Sequence, residues 1–488
     1  MAGAAGLVAF AAAGASAASS STTATTRPVL KLVAGSTDVT LDSVEDYGVD
    51  LDLGTHVVAG NAPIEVRTTR ASYKSPVVAT QYVNGKAARV LPKGLVTDFS
   101  GLGKFLHVTL TDASGKKVLD QDQAVCLNGE GSRTRPDAPA TSPYPEGCAA
   151  NPFTQGAVWG LQTGWSSNTF SGYGAPVQLA VGKYKATVTV NKAYQDFFTI
   201  GASDSAVTLN VTVQQGEGCG QGVRGCFAGQ KKPAVASSVA PKPNAARPAG
   251  KPSVPNGPKP DLRPVPASGI EVGPGEEGTP DAQKDFLQFS ATVWNAGPSP
   301  LVLDGFRQQG KDLMDAYQYF YDAHGKQVGY QNTGTLEWDG RDGHNHWHFT
   351  DFARYSLLNS KQTEVVRSQK EAFCLAATDS IDYTVKNANW HPENTDLHTA
   401  CGNHGSLSVR EVLDVGSGDT YVQSLPGQSF DVTDLPNGTY YVQVTANPEN
   451  RLFESSTKNN VALREVILGG TTHHRTVKVP PVGVINVP

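Results

Sequence analysis

The sequence has few charged residues and no long apolar run, and each of these deficits excludes a class of protein. Asp, Glu, Lys and Arg make up 17% of the 488 residues, and the net charge is −5. A protein that mainly binds nucleic acid carries a basic face, so we expect no nucleic-acid partner. No run after the N-terminal leader reaches the roughly 20 apolar residues of a membrane helix, so we expect no membrane span. The cysteines show no C-x-x-C spacing, which excludes a zinc ribbon or a thioredoxin-like site.

Long stretches of helical periodicity are also scarce. Short runs rich in Val, Thr and Tyr are separated by Gly, Asp, Asn and Pro, and the chain contains 51 Gly and 31 Pro. This pattern is typical of an all-β protein. We expect an N-terminal immunoglobulin-like β-sandwich, a Pro-rich linker and a C-terminal β-sandwich. Strands are predicted, among other places, at residues 49–53, 286–294 and 440–446.

Changes in composition divide the chain into five parts. Residues 1–27 are an Ala-rich signal peptide or disordered leader, with a small-residue cleavage pattern but no basic start. Residues 28–215 form an accessory β-sandwich domain, which we interpret as a spacer or adhesion module that could associate with the cell wall. Residues 216–260 are rich in Pro, Ala and Lys and cannot bury a core, which is typical of a linker. Residues 261–470 form the second β domain, and residues 471–488 form a loose tail.

Cysteine usage indicates an oxidising compartment. The six cysteines fall into three pairs that are close in sequence, namely Cys126 with Cys148, Cys219 with Cys226, and Cys374 with Cys401. An even number of cysteines behind an export-like leader favours disulfide bonds. We therefore expect a secreted, extracellular protein.

Three of the eleven histidines form an alternating triplet in the second domain: His344, His346 and His348. Successive side chains of a β-strand point to opposite faces, so the three imidazoles would share one face while Asn345 and Trp347 point away. Imidazole ligands without cysteine suit Cu(II) or Zn(II). Three protein ligands leave coordination positions open, as in a catalytic site. The triplet alone decides neither the metal nor the reaction.

Further motifs follow the triplet in a fixed order. They are Lys370 before Phe373-Cys374-Leu375, then Asp419-Thr420-Tyr421, then Asp431-Val432-Thr433-Asp434, and finally Glu454-Ser455 and Asn459-Asn460. Together with the histidines, this order resembles the lysyl oxidase family of secreted copper amine oxidases, in a bacterial-type form. The resemblance covers residues 261–470 and not the first domain. It implies that this second domain is a lysyl oxidase-like catalytic domain.

The family builds its own cofactor, lysine tyrosylquinone, by joining a lysine to an oxidised tyrosine. The resemblance implies that Lys370 and Tyr421 are these two residues, and that His344, His346 and His348 bind Cu(2+). Taken by themselves, Lys370 would be interpreted as a solvated charge and Tyr421 as a loop aromatic. Asp419, Asp379 and Asp382 are candidates for the base that removes the substrate α-proton, and we choose Asp419. In each case a turn-forming aspartate is the alternative interpretation.

The resemblance implies a protein-lysine 6-oxidase-like oxidoreductase that acts on CH–NH2 groups with O2 as acceptor. It would convert peptidyl lysine or other primary amines to aldehydes and release ammonia and hydrogen peroxide. The second domain contains more Asp and Glu than Lys and Arg. Such a domain attracts cationic amines, including a lysine-containing protein substrate.

One departure from the animal members limits the expected ligand set. Their additional histidine, three residues before the triplet, is replaced here by Arg341. We therefore expect three histidines plus solvent around the metal.

Two alternative functions remain open from the sequence. The first is a non-enzymatic secreted module, whose histidines hold a metal and whose β domains bind a surface or polysaccharide. The second is a zinc hydrolase that uses the three histidines and a bound water.

Overall fold

A computed structural model describes residues 29–170, 175–216, 247–275, 279–341, 345–368, 372–392, 401–423, 427–483 and 485. His344, Lys370, Cys219 and Cys226 lie outside these ranges. Within the described part of the chain, no helix is long and apolar enough to cross a membrane.

Strands dominate the described residues, which confirms the all-β prediction. The strands of the first half are β1 Leu30–Ala34, β2 Asp38–Val44, β3 Gly48–Val49, β4 Thr55–Ala59, β5 Ile64–Thr69, β6 Val78–Val83, β7 Lys86–Val90, β8 Leu102–Asp112, β9 Lys117–Val125, β10 Gly131–Arg133, β11 Gly156–Leu161, β12 Trp165–Asn168, β13 Gly182–Val190 and β14 Ala206–Gln215. Between β13 and β14 lie the helix α1 Lys192–Phe198 and a 3₁₀ turn at Ala202–Asp204.

The second half contains the remaining strands. They are β15 Leu262–Pro264, β16 Ser268–Pro274, β17 Asp285–Asn295, β18 Leu301–Arg307, β19 Leu313–Tyr321, β20 Gln327–Asp339, β21 His346–Thr350, β22 Ala353–Asn359, β23 Glu364–Arg367, β24 Ala372–Phe373, β25 Asp379–Ser380, β26 Ser408–Leu413, β27 Ser417–Tyr421, β28 Ser429–Asp431, β29 Gly438–Ala446, β30 Val461–Thr471 and β31 His474–Lys478.

The strands of each half surround their own apolar core. In the first half they form three sheets, with strand orders β1-β4-β12-β10, β11-β5-β6-β7 and β3-β2-β14-β13-β8-β9. Alternate residues of β13 and β14 face the core, as the burial patterns show. Buried side chains such as Trp159 and Phe105 belong to one cluster in this half. This alternation is the reason why the Val- and Thr-rich runs form half-buried strands.

Three more sheets build the second half. Their strand orders are β15-β17-β27-β25, β24-β21-β20-β19-β18-β26 and β23-β22-β29-β30-β31. In the first of these sheets, β16 and β28 also pair with β17. Their inner faces meet in a second cluster, which includes Phe289, Trp347, Tyr355 and Tyr421. The three sheets thus bring β21, β24 and β27 around one core.

Two of the three predicted strands named above are present in the structure. The predictions at 286–294 and 440–446 are confirmed by β17 and β29. The prediction at 49–53 is wrong, because only Gly48–Val49 forms a short strand there. Residues 50–54 follow without regular structure, and Gly54 has a positive φ of 59° that a strand does not accommodate.

Residues on both sides of the predicted catalytic domain contact it. The predicted loose tail contains β31, which pairs with β30 from Ile467 to Thr471. The final part of the predicted linker contacts the second half of the chain. There, Ser253 pairs with Tyr330, and the Tyr330 hydroxyl donates to the carbonyl of Gly250 at 2.7 Å.

Candidate functional site

The strand β21 places two of the three histidines side by side. The ring centroids of His346 and His348 are 4.6 Å apart, with their planes at 67°. His346 is half-buried, whereas His348 is 1% exposed. Trp347 lies between them in sequence and packs on the ring of Trp338, with the two centroids 5.7 Å apart. The shared face predicted for these two histidines is confirmed.

The regular strand does not extend back past His346. β21 begins at His346, and Asn345 adopts a left-handed conformation with φ of 54°. A single left-handed residue interrupts the two-residue alternation of side chains. The prediction of one unbroken strand through the triplet is therefore wrong. His344 itself lies outside the described residues.

A carboxylate lies next to the buried histidine. Asp339 ends β20 and pairs directly with His346 across the two strands. An oxygen of its carboxylate lies 3.3 Å from Nδ1 of His348. Arg341 donates to the same carboxylate through Nε at 2.9 Å and Nη2 at 2.5 Å. Asp339 thus orients the His348 ring and directs its Nε2 away from the carboxylate, as outer partners of metal-binding histidines do.

Sequence reasoning missed Asp339 and considered Arg341 only as a replaced histidine. Arg341 instead neutralises the carboxylate that contacts His348. One feature of the sequence could have revealed Asp339. It lies at the end of a strand, and only a short turn separates that strand from the histidines. Residues that pair across antiparallel strands share a face.

The segment after Lys370 lies next to the histidine strand. β24 pairs with β21 through Phe349–Phe373 and Thr350–Ala372. The ring of Phe373 contacts the ring of Tyr421 edge to face, with the centroids 4.7 Å apart. Lys370 precedes this strand by two residues and lies outside the described residues. The chain segments that carry the histidines, Lys370 and Tyr421 therefore meet around Phe373.

Tyr421 lies at the end of β27 with its phenol buried. Its hydroxyl accepts from the amide of Cys374 at 2.8 Å and donates to the carbonyl of the same residue at 3.2 Å. The side chain is only 8% exposed. Burial raises the pKa of the Tyr421 phenol well above its usual range, and the nearby carboxylates of Asp419 and Glu411 raise it further. The phenol is therefore protonated at neutral pH.

Asp419 lies two residues before Tyr421 on the same strand and points to the same face. It is 3% exposed. Burial raises the pKa of the Tyr355 phenol, and the Asp419 carboxylate adds to this effect. Asp419 is thus an acidic group close to two buried tyrosines, Tyr355 and Tyr421.

A disulfide bond ties this site together. Cys374 and Cys401 are bonded, as are Cys126 and Cys148. The carbonyl of Cys401 accepts from the amide of Trp347 at 3.1 Å. The disulfide therefore joins two backbone segments. The segment at Cys374 binds the Tyr421 hydroxyl, and the segment at Cys401 binds the histidine strand β21. Both predicted disulfides within the described residues are confirmed, and the third pair lies outside them.

The other candidate bases have structural partners away from Tyr421. Asp379 accepts a short hydrogen bond from the hydroxyl of Thr420. Asp382 accepts from the amide and the hydroxyl of Thr384 at 2.9 and 2.6 Å. The structure brings neither carboxylate to the face that Asp419 and Tyr421 share.

The donors present fit an imidazole-binding metal. Within the described ranges, no group of three or more His, Cys, Asp or Glu side chains is arranged to hold a metal ion. His346 and His348 supply two neighbouring imidazoles, and Asp339 contacts Nδ1 of His348, so that Nε2 is the ring nitrogen on the side away from the carboxylate. Nitrogen donors of this kind suit copper and zinc.

Comparison with known proteins adds an independent finding. Residues 316–477 match the family model described as Lysyl oxidase. Lysyl oxidase homolog 2 of Gallus gallus is 32% identical over 129 residues, which are 26% of this chain and 15% of that protein. The same protein of Homo sapiens and lysyl oxidase homolog 4 of Mus musculus have the same identity over the same length and shares. The matched stretch therefore spans about 15% of the length of these relatives.

The matched residues extend from β19 to β31 and include β21, β24 and β27, which surround Tyr421. The first half of the chain lies outside the match. The C-terminal part of this chain, as matched over residues 316–477, belongs to the lysyl oxidase family.

Proposed function

We propose that this chain is a secreted, copper-dependent amine oxidase. It converts peptidyl lysine or other primary amines to aldehydes, consuming O2 and water and releasing ammonia and hydrogen peroxide. Its organic cofactor is lysine tyrosylquinone, formed from Lys370 and Tyr421. The observation that carries this function is the burial of the Tyr421 phenol against Cys374 and Phe373, on the segment that directly follows Lys370.

His344, His346 and His348 would hold the copper ion. When bound, Cu(II) together with O2 supplies the oxidising equivalents that turn the phenol ring of Tyr421 into a quinone. Asp339 positions the His348 ring for this task through its contact with Nδ1.

The protein groups around Tyr421 each have a separate task. Phe373 fixes the ring plane through its edge-to-face contact, and the Cys374 backbone holds the phenolic oxygen. Lys370 supplies the amine that bonds to the oxidised ring. Burial favours the neutral form of a lysine amine, which is the nucleophilic form. Asp419, on the same face as Tyr421, accepts the α-proton from the substrate carbon.

The substrate is a cationic amine in solution. The acidic balance of residues 261–470 raises the local concentration of such amines. Both a lysine side chain and a small primary amine carry the required charge and the required CH2–NH2 group.

Secretion is part of the same proposal. The two disulfides within the described residues suit an oxidising compartment, and the Ala-rich start suits a signal peptide. We also propose the domain division at residues 28–215 and 261–470, supported by two separate core clusters.

The test compares the copper-loaded protein with two variants. The wild-type protein should stain for quinone and release peroxide from a primary amine. Lys370→Met and Tyr421→Phe should each abolish both signals, because each removes one half of the cofactor. Tyr47→Phe, the same kind of change at a tyrosine of the first half that is 47% exposed, serves as the control and should retain both signals.

Unchanged turnover in either Lys370→Met or Tyr421→Phe contradicts the cofactor assignment. Activity that zinc restores better than copper contradicts the oxidase and supports a hydrolase. A copper-loaded wild-type protein that neither stains nor releases peroxide contradicts the proposed function as a whole.

A further inference from the structure

The strand that carries Asp419 and Tyr421 has a second face. Because side chains alternate along a strand, Gly418 and Thr420 point away from the face that Asp419 and Tyr421 share. β27 pairs with β17, and Thr292 lies directly opposite Thr420. We call the face of Thr292, Trp294, Gly418 and Thr420 the back face of this sheet.

Residues from the first half of the chain cover the back face. Phe153, Trp294, Ile381 and Val265 form one buried apolar cluster. Phe153 is fully buried and Trp294 is 3% exposed. A Cβ added at Gly418 would lie 2.8 Å from the Ile381 side chain, which shows how tightly this layer packs against β27.

Backbone hydrogen bonds reinforce this contact at the edge of the sheet. β25 pairs with β27, and the residues that follow β25 bind the segment that leads into β11. The amide of Gln155 donates to the carbonyl of Ile381 at 2.7 Å, and the amide of Tyr383 donates to the carbonyl of Gly156 at 3.0 Å. The first half of the chain therefore occupies the edge that β25 would otherwise expose.

A chain of polar side chains links the two halves across the back face. Asn151 donates from Nδ2 to the hydroxyl of Thr292 at 3.0 Å. The hydroxyls of Thr292 and Thr420 are 2.7 Å apart, and Thr420 donates to the carboxylate of Asp379. Asn151 is 9% exposed and Thr292 is 2% exposed.

The direction of this chain follows from its two ends. An amide nitrogen can only donate and a carboxylate can only accept. The hydroxyl of Thr292 therefore receives from Asn151 and donates to Thr420, which in turn donates to Asp379. Hydrogen bonds aligned in this way strengthen one another and hold a single geometry.

Thr420 lies between Asp419 and Tyr421, so its position fixes the backbone of both. We propose that Asn151 is a positioning residue for this site, and that the N-terminal domain supports the catalytic strand from behind. This role rests on the proposed amine oxidase function, because Tyr421 must be held for oxidation and Asp419 for proton transfer. It goes beyond the interpretation of the first domain as a spacer or adhesion module.

The variant that tests this role is Asn151→Asp. The Oδ1 atom of Asn151 accepts from the amide of Phe153 at 2.9 Å, and an aspartate preserves this turn. It removes the donor hydrogens of the side chain, so Thr292 no longer receives a hydrogen bond from residue 151. If the Thr292 hydroxyl donates to the new carboxylate instead, its one hydrogen is no longer available to Thr420, and the aligned chain is broken in either case. The matched control is Asn168→Asp, because Asn168 accepts from the amide of Phe170 at 3.0 Å in the same kind of turn within the first half.

A second variant, Gly156→Ala, disturbs the contact between the two halves of the chain at a different residue. A Cβ at Gly156 would lie 2.2 Å from Oδ1 of Asp382 and 2.5 Å from Oγ1 of Thr384. Gly156→Ala therefore pushes against the second half of the chain. It keeps the measurement informative if Asn151→Asp does not fold.

The first measurement is amide hydrogen exchange of the metal-free, full-length protein over residues 417–421. We expect exchange to rise about tenfold in Asn151→Asp and in Gly156→Ala, since the loss of one buried hydrogen bond changes a local opening equilibrium by about that factor. Asn168→Asp should exchange over this segment as the wild type does.

The second measurement is amine turnover of the copper-loaded proteins. We expect kcat to fall about tenfold in both test variants, with KM changed by less than about twofold, since misplaced reacting groups affect the chemical step. Faster exchange together with an unchanged kcat would show that the contact is only structural and would overturn the positioning role. Unchanged exchange in both folded variants would overturn it as well.

These outcomes differ from failure of the proposed function. A wild-type protein without quinone contradicts the oxidase itself and removes the catalytic part of the positioning role. The hydrogen-exchange comparison uses metal-free protein and does not depend on the cofactor. It therefore still tests whether Asn151 stabilises β27.

Discussion

One residue, Cys374, both donates a hydrogen bond to the hydroxyl of Tyr421 and accepts one from it. The hydroxyl accepts from the Cys374 amide at 2.8 Å and donates to the Cys374 carbonyl at 3.2 Å. This pairing fixes the phenol before any metal binds. It also connects Tyr421 to the segment of Lys370 and, through the disulfide with Cys401, to the histidine strand.

Tyr421→Phe should therefore destabilise the metal-free protein as well as abolish activity. The change leaves the amide of Cys374 buried without its acceptor, which costs about 1–3 kcal/mol. Chemical denaturation of the metal-free protein measures this loss. Tyr440→Phe is the control, because Tyr440 is buried to a similar degree, at 6% exposed, while its hydroxyl donates to the carbonyl of Pro436, so the change leaves no amide without its acceptor. Equal stability of Tyr421→Phe and the wild type would contradict this account of the pairing.

Asp339→Asn should weaken copper binding. The carboxylate contacts Nδ1 of His348, and loss of such an outer partner typically lowers metal affinity about 10- to 100-fold. Copper titration of the metal-free protein measures the change. Asp120→Asn removes a carboxylate from the exposed His107, with a contact of 3.0 Å, and should leave copper affinity unchanged. The same loss in both variants would rule out a specific role for Asp339.

The disulfide between Cys374 and Cys401 should matter for cofactor formation as well as for stability. Replacing both cysteines by serine should lower the free energy of unfolding by about 3 kcal/mol and should slow quinone formation. The same double change at Cys126 and Cys148 removes a bond of similar sequence separation, 22 against 27 residues. It should lower stability while quinone forms at the wild-type rate. Equal slowing in both double variants would argue for a general effect of stability.

The contact between the two halves should depend on pH through Asp382. Burial raises the pKa of this carboxyl above its ordinary value of 3.8. The folded protein thus binds the proton more tightly than the unfolded chain, and this stability is lost as pH rises through the folded-state pKa. Asp382→Asn should be more stable than the wild type at pH 7, and the difference should shrink toward pH 4. Thermal denaturation across this range provides the measurement.

Asp322 offers a control of opposite sign. Hydrogen bonds from the amides of Lys326 and His324 lower the pKa of its carboxyl. Its contribution to stability is present above the ordinary value and is lost as pH falls through the lowered one. Asp322→Asn should therefore be less stable than the wild type at pH 7. A gain of stability there would contradict the electrostatic argument for both residues.

Sequence periodicity predicts only part of the site. Alternation along a strand was sufficient to place His346 and His348 on one face, and the structure confirms it. The left-handed conformation of Asn345 left no mark in the pattern of apolar and polar residues. Asn tolerates this conformation without requiring it, so only the chain path reveals the break before His346.

The remaining features depend on contacts between distant segments. Lys370 and Tyr421 have no local pattern that marks them, and only the order of motifs along the chain singled them out. Asn151 lies 141 residues from Thr292. A hydrogen bond over such a separation is set by the way two sheets pack, which the pattern within either strand does not encode. The contact between Asn151 and Thr292 is therefore visible only in the structure.

The central claim is that Lys370 and Tyr421 become one covalent unit. Mass spectrometry of the copper-loaded, air-exposed protein after proteolysis tests it most directly. We predict a crosslinked peptide pair that contains Lys370 and Tyr421 and is absent from the metal-free protein. Recovery of both residues in separate, unmodified peptides after copper loading would contradict the account.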